Sequence, residues 1–129
     1  MPVMKLFRCR QFFSMDLSGH WSFCEYFDFG CDYGVAVLRQ NGDSFLGTLV
    51  YTEHIFEEGR FIVSADVKGR ILHDQISFEC ISCQIIDAEE EFEYYTDSRS
   101  GTIVEFDRIE GFSDDPQGVE GKFTMIRIG

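Results

Sequence analysis

What most constrains this chain is a strict alternation of apolar and polar residues, in runs bounded by turn residues and never long enough for a helix. In Arg60–Lys68 the odd positions are Phe61, Val63, Ala65 and Val67, and the even ones include Arg60, Ser64, Asp66 and Lys68. A period of two puts one face of a strand in a core and the other in water. The pattern recurs where Ser44–Thr52 aligns Phe45, Leu49 and Tyr51. It recurs in Leu72–Cys80, with Leu72, Ile76, Phe78 and Cys80, and in Val119–Arg127, with Val119, Phe123 and Met125. Asn41-Gly42-Asp43 reads as a tight hairpin with the two positive φ angles of a type I′ turn. Glu57-Glu58-Gly59, Lys68-Gly69, Asp97–Gly101 and Ser113–Gly118 punctuate the rest.

These signals predict eight strands, at about 19–28, 33–40, 44–53, 60–68, 70–81, 91–96, 101–112 and 119–128. Short connections make sequential neighbours antiparallel. With no helix to cover the apolar face, closing the sheet on itself both buries that face and removes free edges. The expectation is an all-β chain: a single eight-stranded antiparallel up-and-down meander barrel over residues 17–129, preceded by an N-terminal arm over residues 1–16. A barrel of eight strands either fills with side chains or holds one small ligand, and fourteen Phe are available to fill it.

The 129 residues fit one domain, and their net charge of −12 repels phosphate backbones and anionic lipid. Nucleic acid and membrane surfaces are therefore not expected partners. Lys5, Arg8 and Arg10 interrupt the N-terminus where a secretory leader would need an apolar run. With no leader and an odd number of cysteines (Cys9, Cys24, Cys31, Cys80, Cys83), the expected state is reduced thiols in a cytoplasmic setting. The arm itself is apolar, with Val3, Met4, Leu6, Phe7, Phe12, Phe13 and Met15, and is expected to mediate a homodimer.

Leu17-Ser18-Gly19-His20-Trp21 opens the first strand, and Arg127 lies near the end of the last. A Gly-x-Trp followed by a meander and a terminal Arg resembles the calycin superfamily of lipocalins, fatty-acid-binding proteins and avidins. With Gly47-Thr48-Leu49-Val50-Tyr51, the pattern looks most like the avidin branch. The resemblance implies that Trp21 closes one barrel end with Arg127 across its ring. The chain departs from avidins in having no further Trp to build a biotin site.

Strict alternation places Phe23, Phe45, Tyr51, Phe61, Phe78, Tyr94, Phe106 and Phe123 on the inward face, as a packed core or as a greasy pocket with Tyr hydroxyls at its mouth. It also turns Asp74 inward with Leu72 and Ile76, and Arg108 inward with Val104 and Phe106. Inward charges must pair or serve a ligand, unless a bulge or strand end turns them to solvent. The candidate ligand-binding set is thus Phe23, Tyr51, Asp74, Phe78, Tyr94, Phe106 and Arg108. The pair Asp74 and Arg108 could serve either binding or, in an enzyme such as an isomerase, acid and clamp roles.

Cys80-Ile81-Ser82-Cys83 has redox spacing, but residues three apart on a regular strand face opposite sides, so structural thiols are expected. The histidines His20, His54 and His73 are scattered over different strands and form no catalytic set. The run Asp87–Asp97, with Glu89, Glu90 and Glu91 at its centre, is a solvated loop entering a strand, or a surface that docks a basic protein partner. It lacks the spacing of a calcium loop, and no metal or cofactor site is expected. The functional expectation is non-enzymatic binding of a small apolar or amphipathic ligand inside the barrel. The alternative is an acidic, immunity-like interaction protein.

Overall fold

The structure is a computed structural model that describes residues 16–88, 94 and 96–129. Eight strands follow in chain order: β1 Gly19–Phe27, β2 Gly30–Asn41, β3 Ser44–Ile55, β4 Gly59–Leu72, β5 Gln75–Asp87, β6 Ser98–Glu105, β7 Arg108–Asp114 and β8 Glu120–Arg127. Each strand pairs antiparallel with the next, β8 returns to β1, and the sheet closes into an up-and-down barrel. Among the described residues there is no helix long and apolar enough to cross a membrane. The expected arm over residues 1–16, its dimer role, Cys9 and the acidic residues Glu89, Glu90 and Glu91 lie outside the described residues, Asp16 excepted.

The strand count matches expectation, but two boundaries differ. The single strand expected over 101–112 is two strands, β6 and β7, folded at Phe106-Asp107 after a register shift between Ile103 and Glu105. Where a strand was expected over 91–96, Tyr94 and Thr96 belong to no strand. The turn between β2 and β3 also differs in kind. Asn41 and Ser44 pair, the loop is Gly42-Asp43, and only Gly42 has a positive φ, of 65°. Positive φ at the first central residue alone is the type II′ sign rather than I′.

Aromatic rings fill the middle of the barrel. Phe23 and Phe123 stack at 6.3 Å, Phe78 meets Phe123 edge-on at 5.8 Å, and Phe45 meets Phe78 at 6.0 Å. Two interior glycines make this possible. Gly69 lies against the Phe45 ring, and Gly111 faces the Phe123 ring, whose edge is 2.7 Å from where a Cβ would stand. An interior strand glycine weakens pairing unless something covers it, and here a ring does.

Bulges set which residues face inward. In β5 the partner of Val67 is Cys80 and that of Ala65 is Cys83, with Ile81 squeezed out between them. Directly opposed residues share a face, so Cys80 and Cys83 lie on the same side of β5, contrary to regular alternation. The β5–β6 ladder runs only from Gln75–Thr102 to Glu79–Ser98. Beyond it, β5 pairs with β4 alone among the described residues.

Candidate functional site

The two barrel ends are built differently. At one end Leu17 and Trp21 are fully buried, and the Trp21 indole nitrogen donates to the Leu17 carbonyl at 2.8 Å. The Arg127 guanidinium lies 4.4 Å from the Trp21 ring centroid and 5.4 Å from that of Phe106. It donates to the carbonyls of Ser18 at 2.9 Å and Asp16 at 2.7 Å. Those bonds tie the entering chain to the last strand, and that end is sealed.

The opposite end is polar. The inward parity of β1 runs Trp21, Phe23, Glu25, and that of β3 runs Phe45, Gly47, Leu49, Tyr51, Glu53. Asp32 of β2 is the register partner of both Glu25 and Glu53. Three carboxyls therefore stand in one cross-strand row inside the barrel. Like charges placed directly opposite repel, so the row needs protons or cations.

One cation is supplied by β6. Arg99 is 3% exposed, and it donates to both Glu25 oxygens at 2.8 and 2.9 Å and to Asp97 at 3.0 Å. Its guanidinium rests 5.0 Å from the Phe23 ring centroid, with Phe78 and Tyr51 at 5.9 and 6.0 Å. The apolar face of the ion meets the aromatic core and its N–H edges meet carboxylates, which suits a planar guanidinium. Ser113 adds a hydroxyl beside Glu25.

Asp32 is different. It is fully buried, and among the described residues no N–H donates to its carboxyl oxygens, which meet the Glu25 and Glu53 carboxyls instead. Burial, then the neighbouring Glu25 and Glu53 carboxyls, push its pKa up to about 12, so it holds its proton at neutral pH. Burial also raises Glu53. Asp97 is pushed up to about 7, by burial first and against the pull of Arg99. Burial pushes Glu25 the same way, but the Arg99 bonds outweigh it and hold that carboxyl below its usual range. Two phenols complete the rim. The hydroxyls of Tyr51 and Tyr94 are 2.5 Å apart, and Tyr94 donates to Glu53 at 3.0 Å. Burial holds both phenols neutral.

Of the residues expected to bind ligand, Phe23 and Phe78 form the aromatic floor, while Tyr51 and Tyr94 stand at this rim. The other three are elsewhere. Asp74 lies in the turn between β4 and β5 at the sealed end, accepting from the Gln75 amide at 3.1 Å. Arg108 is outside the barrel, paired with Glu110 at 3.0 Å, and Phe106 is 71% exposed in the β6–β7 turn. The reason is that parity restarts at a turn. Leu72, read as the first inward residue of its run, is the last outward residue of β4, whereas Ile71 is buried. In β6 and β7 the inward residues are Arg99, Gly101, Ile103, Ile109 and Ser113, so regular alternation puts Val104 outward and the expected parity was set on the wrong face. Glu25, Asp32, Glu53 and Arg99 were absent from the sequence reading, and Asp97 entered it only as the end of an acidic run, although the alternation in β1 and β3 continues straight into Glu25 and Glu53.

No family model matches the chain, and no curated protein sequence does either. The calycin resemblance therefore rests on the barrel and its few matching residues, with no family identified. Solved structures are similar in fold. A de novo designed fluorescence-activating β-barrel superposes with a TM-score of 0.60 at 14% identity, over 87% of this chain and 94% of its own. A redesigned β-barrel, mFAP1, bound to DFHBI, gives 0.63 at 12% identity, over 86% and 94%. A second redesigned barrel, mFAP0, also bound to DFHBI, gives 0.60 at 11% identity, over 86% and 98%. This chain is an eight-stranded antiparallel barrel of the same architecture as those designs.

Proposed function

We propose that the protein binds a small amphipathic molecule at the polar end of its barrel. The observation that carries this reading is the row Glu25–Asp32–Glu53 with Arg99, Tyr51 and Tyr94, set on an aromatic floor opposite the Trp21 seal. Buried ionisable groups cost stability that apolar residues of the same size would not. A barrel that needed only a core would place Leu or Val there. The aromatic floor fills the middle, so the ligand is confined to the rim and is small. Structural neighbours of this architecture hold a small fluorophore, which fits a binding role. The four described cysteines are free thiols, which fits the cytoplasmic setting expected from the sequence.

Native mass spectrometry of protein purified from cells tests this. A retained small molecule, lost in Glu53→Gln and Tyr51→Phe variants that still fold, supports it. A ligand-free mass, with no response to an apolar reporter dye, rejects it.

A second reading has its own observation. An open groove of about 960 Å³ beside the same end is lined by the aromatics Tyr26, Phe29 and Phe112 and the acids Asp28, Asp114 and Glu120. Tyr26 and Phe112 are strongly exposed there. Acidic and aromatic side chains together suit a basic protein segment. Affinity for such a partner would fall steeply between low and physiological salt, and a salt-independent affinity rejects this reading.

A further inference from the structure

We propose that Cys80 and Cys83 form a redox-active dithiol, which small-molecule disulfides oxidise to a reversible disulfide. The inference is independent of both binding readings. Residues three apart on a regular strand face opposite sides, which is why structural thiols were expected. Here Ile81 is squeezed out, and Cys80 and Cys83 oppose Val67 and Ala65, which are two residues apart on β4. Val67 and Ala65 are buried, so both thiols share the core-facing side of β5. Two register steps span about 6.7 Å at the usual rise of a strand. Disulfides bridge Cα atoms about 4.4–6.8 Å apart, so the spacing falls within reach. Ser82 holds the bulge in this form, because its hydroxyl donates to the exposed Asp66 at 3.0 Å on the opposite face.

The thiols also stand where a reagent reaches them. The β5–β6 ladder stops at Glu79–Ser98, just before Cys80, and beyond it β5 pairs only with β4 among the described residues. Cys83 is exposed and Cys80 is half-buried. A strand segment tied on one side can make the small shift that the fixed torsion of a disulfide requires. Cys83, the more accessible thiol, reacts first. Its thiolate attacks one sulfur of the small disulfide, forms a mixed disulfide and expels one thiolate, which takes up a proton. Cys80 then gives its proton to solvent and attacks the Cys83 Sγ. The bond between Cys80 and Cys83 closes, and the second small thiolate leaves and is protonated. Two electrons pass from the protein thiols to the reagent, with one disulfide made and one cleaved. Burial, then Cys83, raise the Cys80 thiol. That suits Cys80 to the second step, where proximity replaces intrinsic reactivity.

The test is incubation of the full chain with oxidised glutathione under native conditions, followed by acid quenching and peptide mass mapping. Cleavage after Arg70 and Arg99 releases residues 71–99, in which Cys80 and Cys83 are the only thiols. The expected result is that this peptide loses two hydrogens and regains them on treatment with a reductant. Cys80→Ser should stop at the mixed disulfide, with glutathione held on Cys83. Cys83→Ser should leave Cys80 unmodified over the same time. Both variants replace a thiol that is not fully buried by a hydroxyl of similar shape, so both fold. If the wild-type peptide stays reduced, keeps glutathione on Cys83, or becomes joined to a peptide carrying another cysteine, the two thiols are not a redox pair.

Discussion

Glu25 and Arg99 are 74 positions apart in sequence and meet inside the barrel through two parallel hydrogen bonds of 2.8 and 2.9 Å. The pair joins β1 to β6 across the interior, where no backbone ladder connects them, and both side chains are almost fully enclosed. Removing one partner should hurt far more than removing both. Arg99→Met leaves Glu25 buried and unpaired, for an expected loss of about 3–5 kcal/mol. The double variant Glu25→Leu/Arg99→Met should recover most of that. Urea denaturation of the wild type, both single variants and the double variant measures this directly.

Stability should fall as pH rises through the neutral range. Asp97, raised from 3.8 to about 7, keeps its proton in the fold after the unfolded chain has lost it. Its contribution is therefore complete below about pH 4 and gone above about pH 7. Asp32, raised to about 12, extends the decline beyond neutrality. Glu25 acts oppositely: held low by Arg99, it contributes above its unfolded value and is lost in acid. The urea midpoint should rise from pH 8 to pH 5. Asp97→Asn should flatten the part of that slope below pH 7, and a midpoint independent of pH would contradict the assignment.

The sealed end should be the more sensitive one to truncation of a single ring. Trp21→Ala removes a fully buried indole that also bonds the Leu17 carbonyl, for an expected loss of about 3–5 kcal/mol. Arg127→Met keeps the apolar stem but removes the cation over the ring, and should lose about 1–2 kcal/mol. Equal losses in the two variants would mean that the guanidinium, not the indole, holds that end.

Gly111→Ala should destabilise through steric conflict alone. Its Cβ would meet the Ser100 carbonyl oxygen, the Gly101 Cα at 2.6 Å and the Phe123 ring at 2.7 Å. Overpacking of this kind costs about 1–3 kcal/mol. Because the two closest contacts are backbone atoms, adding Phe123→Leu should not restore the loss, which thermal unfolding can show.

The two thiols of the bulge should react at different rates. Cys83 is exposed, whereas Cys80 is half-buried, donates to the Ser82 carbonyl and has its pKa raised, first by burial and then by Cys83. Timed alkylation followed by peptide mass mapping should label Cys83 well before Cys80.

Part of the polar end was legible in advance. Carrying the parity of Trp21 and Phe23 two residues further reaches Glu25, and that of Leu49 and Tyr51 reaches Glu53. Both are inward because a strand does not change face when its residues change polarity. Asp32 and Arg99 were harder to see. Asp32 is flanked by Cys31 and Tyr33 and belongs to no visible apolar run, while Arg99 is the second residue of a strand expected to start only at Gly101. Asp74 was misplaced by the same rule applied into a turn, and Arg108 by starting the rule from Val104 and Phe106, which face outward, instead of from Ile103 and Ile109.

Local chemistry alone determined that this chain would form short antiparallel strands and close them. The period of two, the Gly-containing turns and the lack of a helical stripe are properties of neighbouring residues, and they act before any distant contact exists. Which charges end up inside was decided only by the tertiary structure. Burial of Asp32 depends on β1 and β3 flanking it, and Arg99 finds Glu25 only once the barrel has closed. The placement of Cys80 and Cys83 on one face depends on a single squeezed-out residue, Ile81, whose effect exists only in the pairing of β5 with β4.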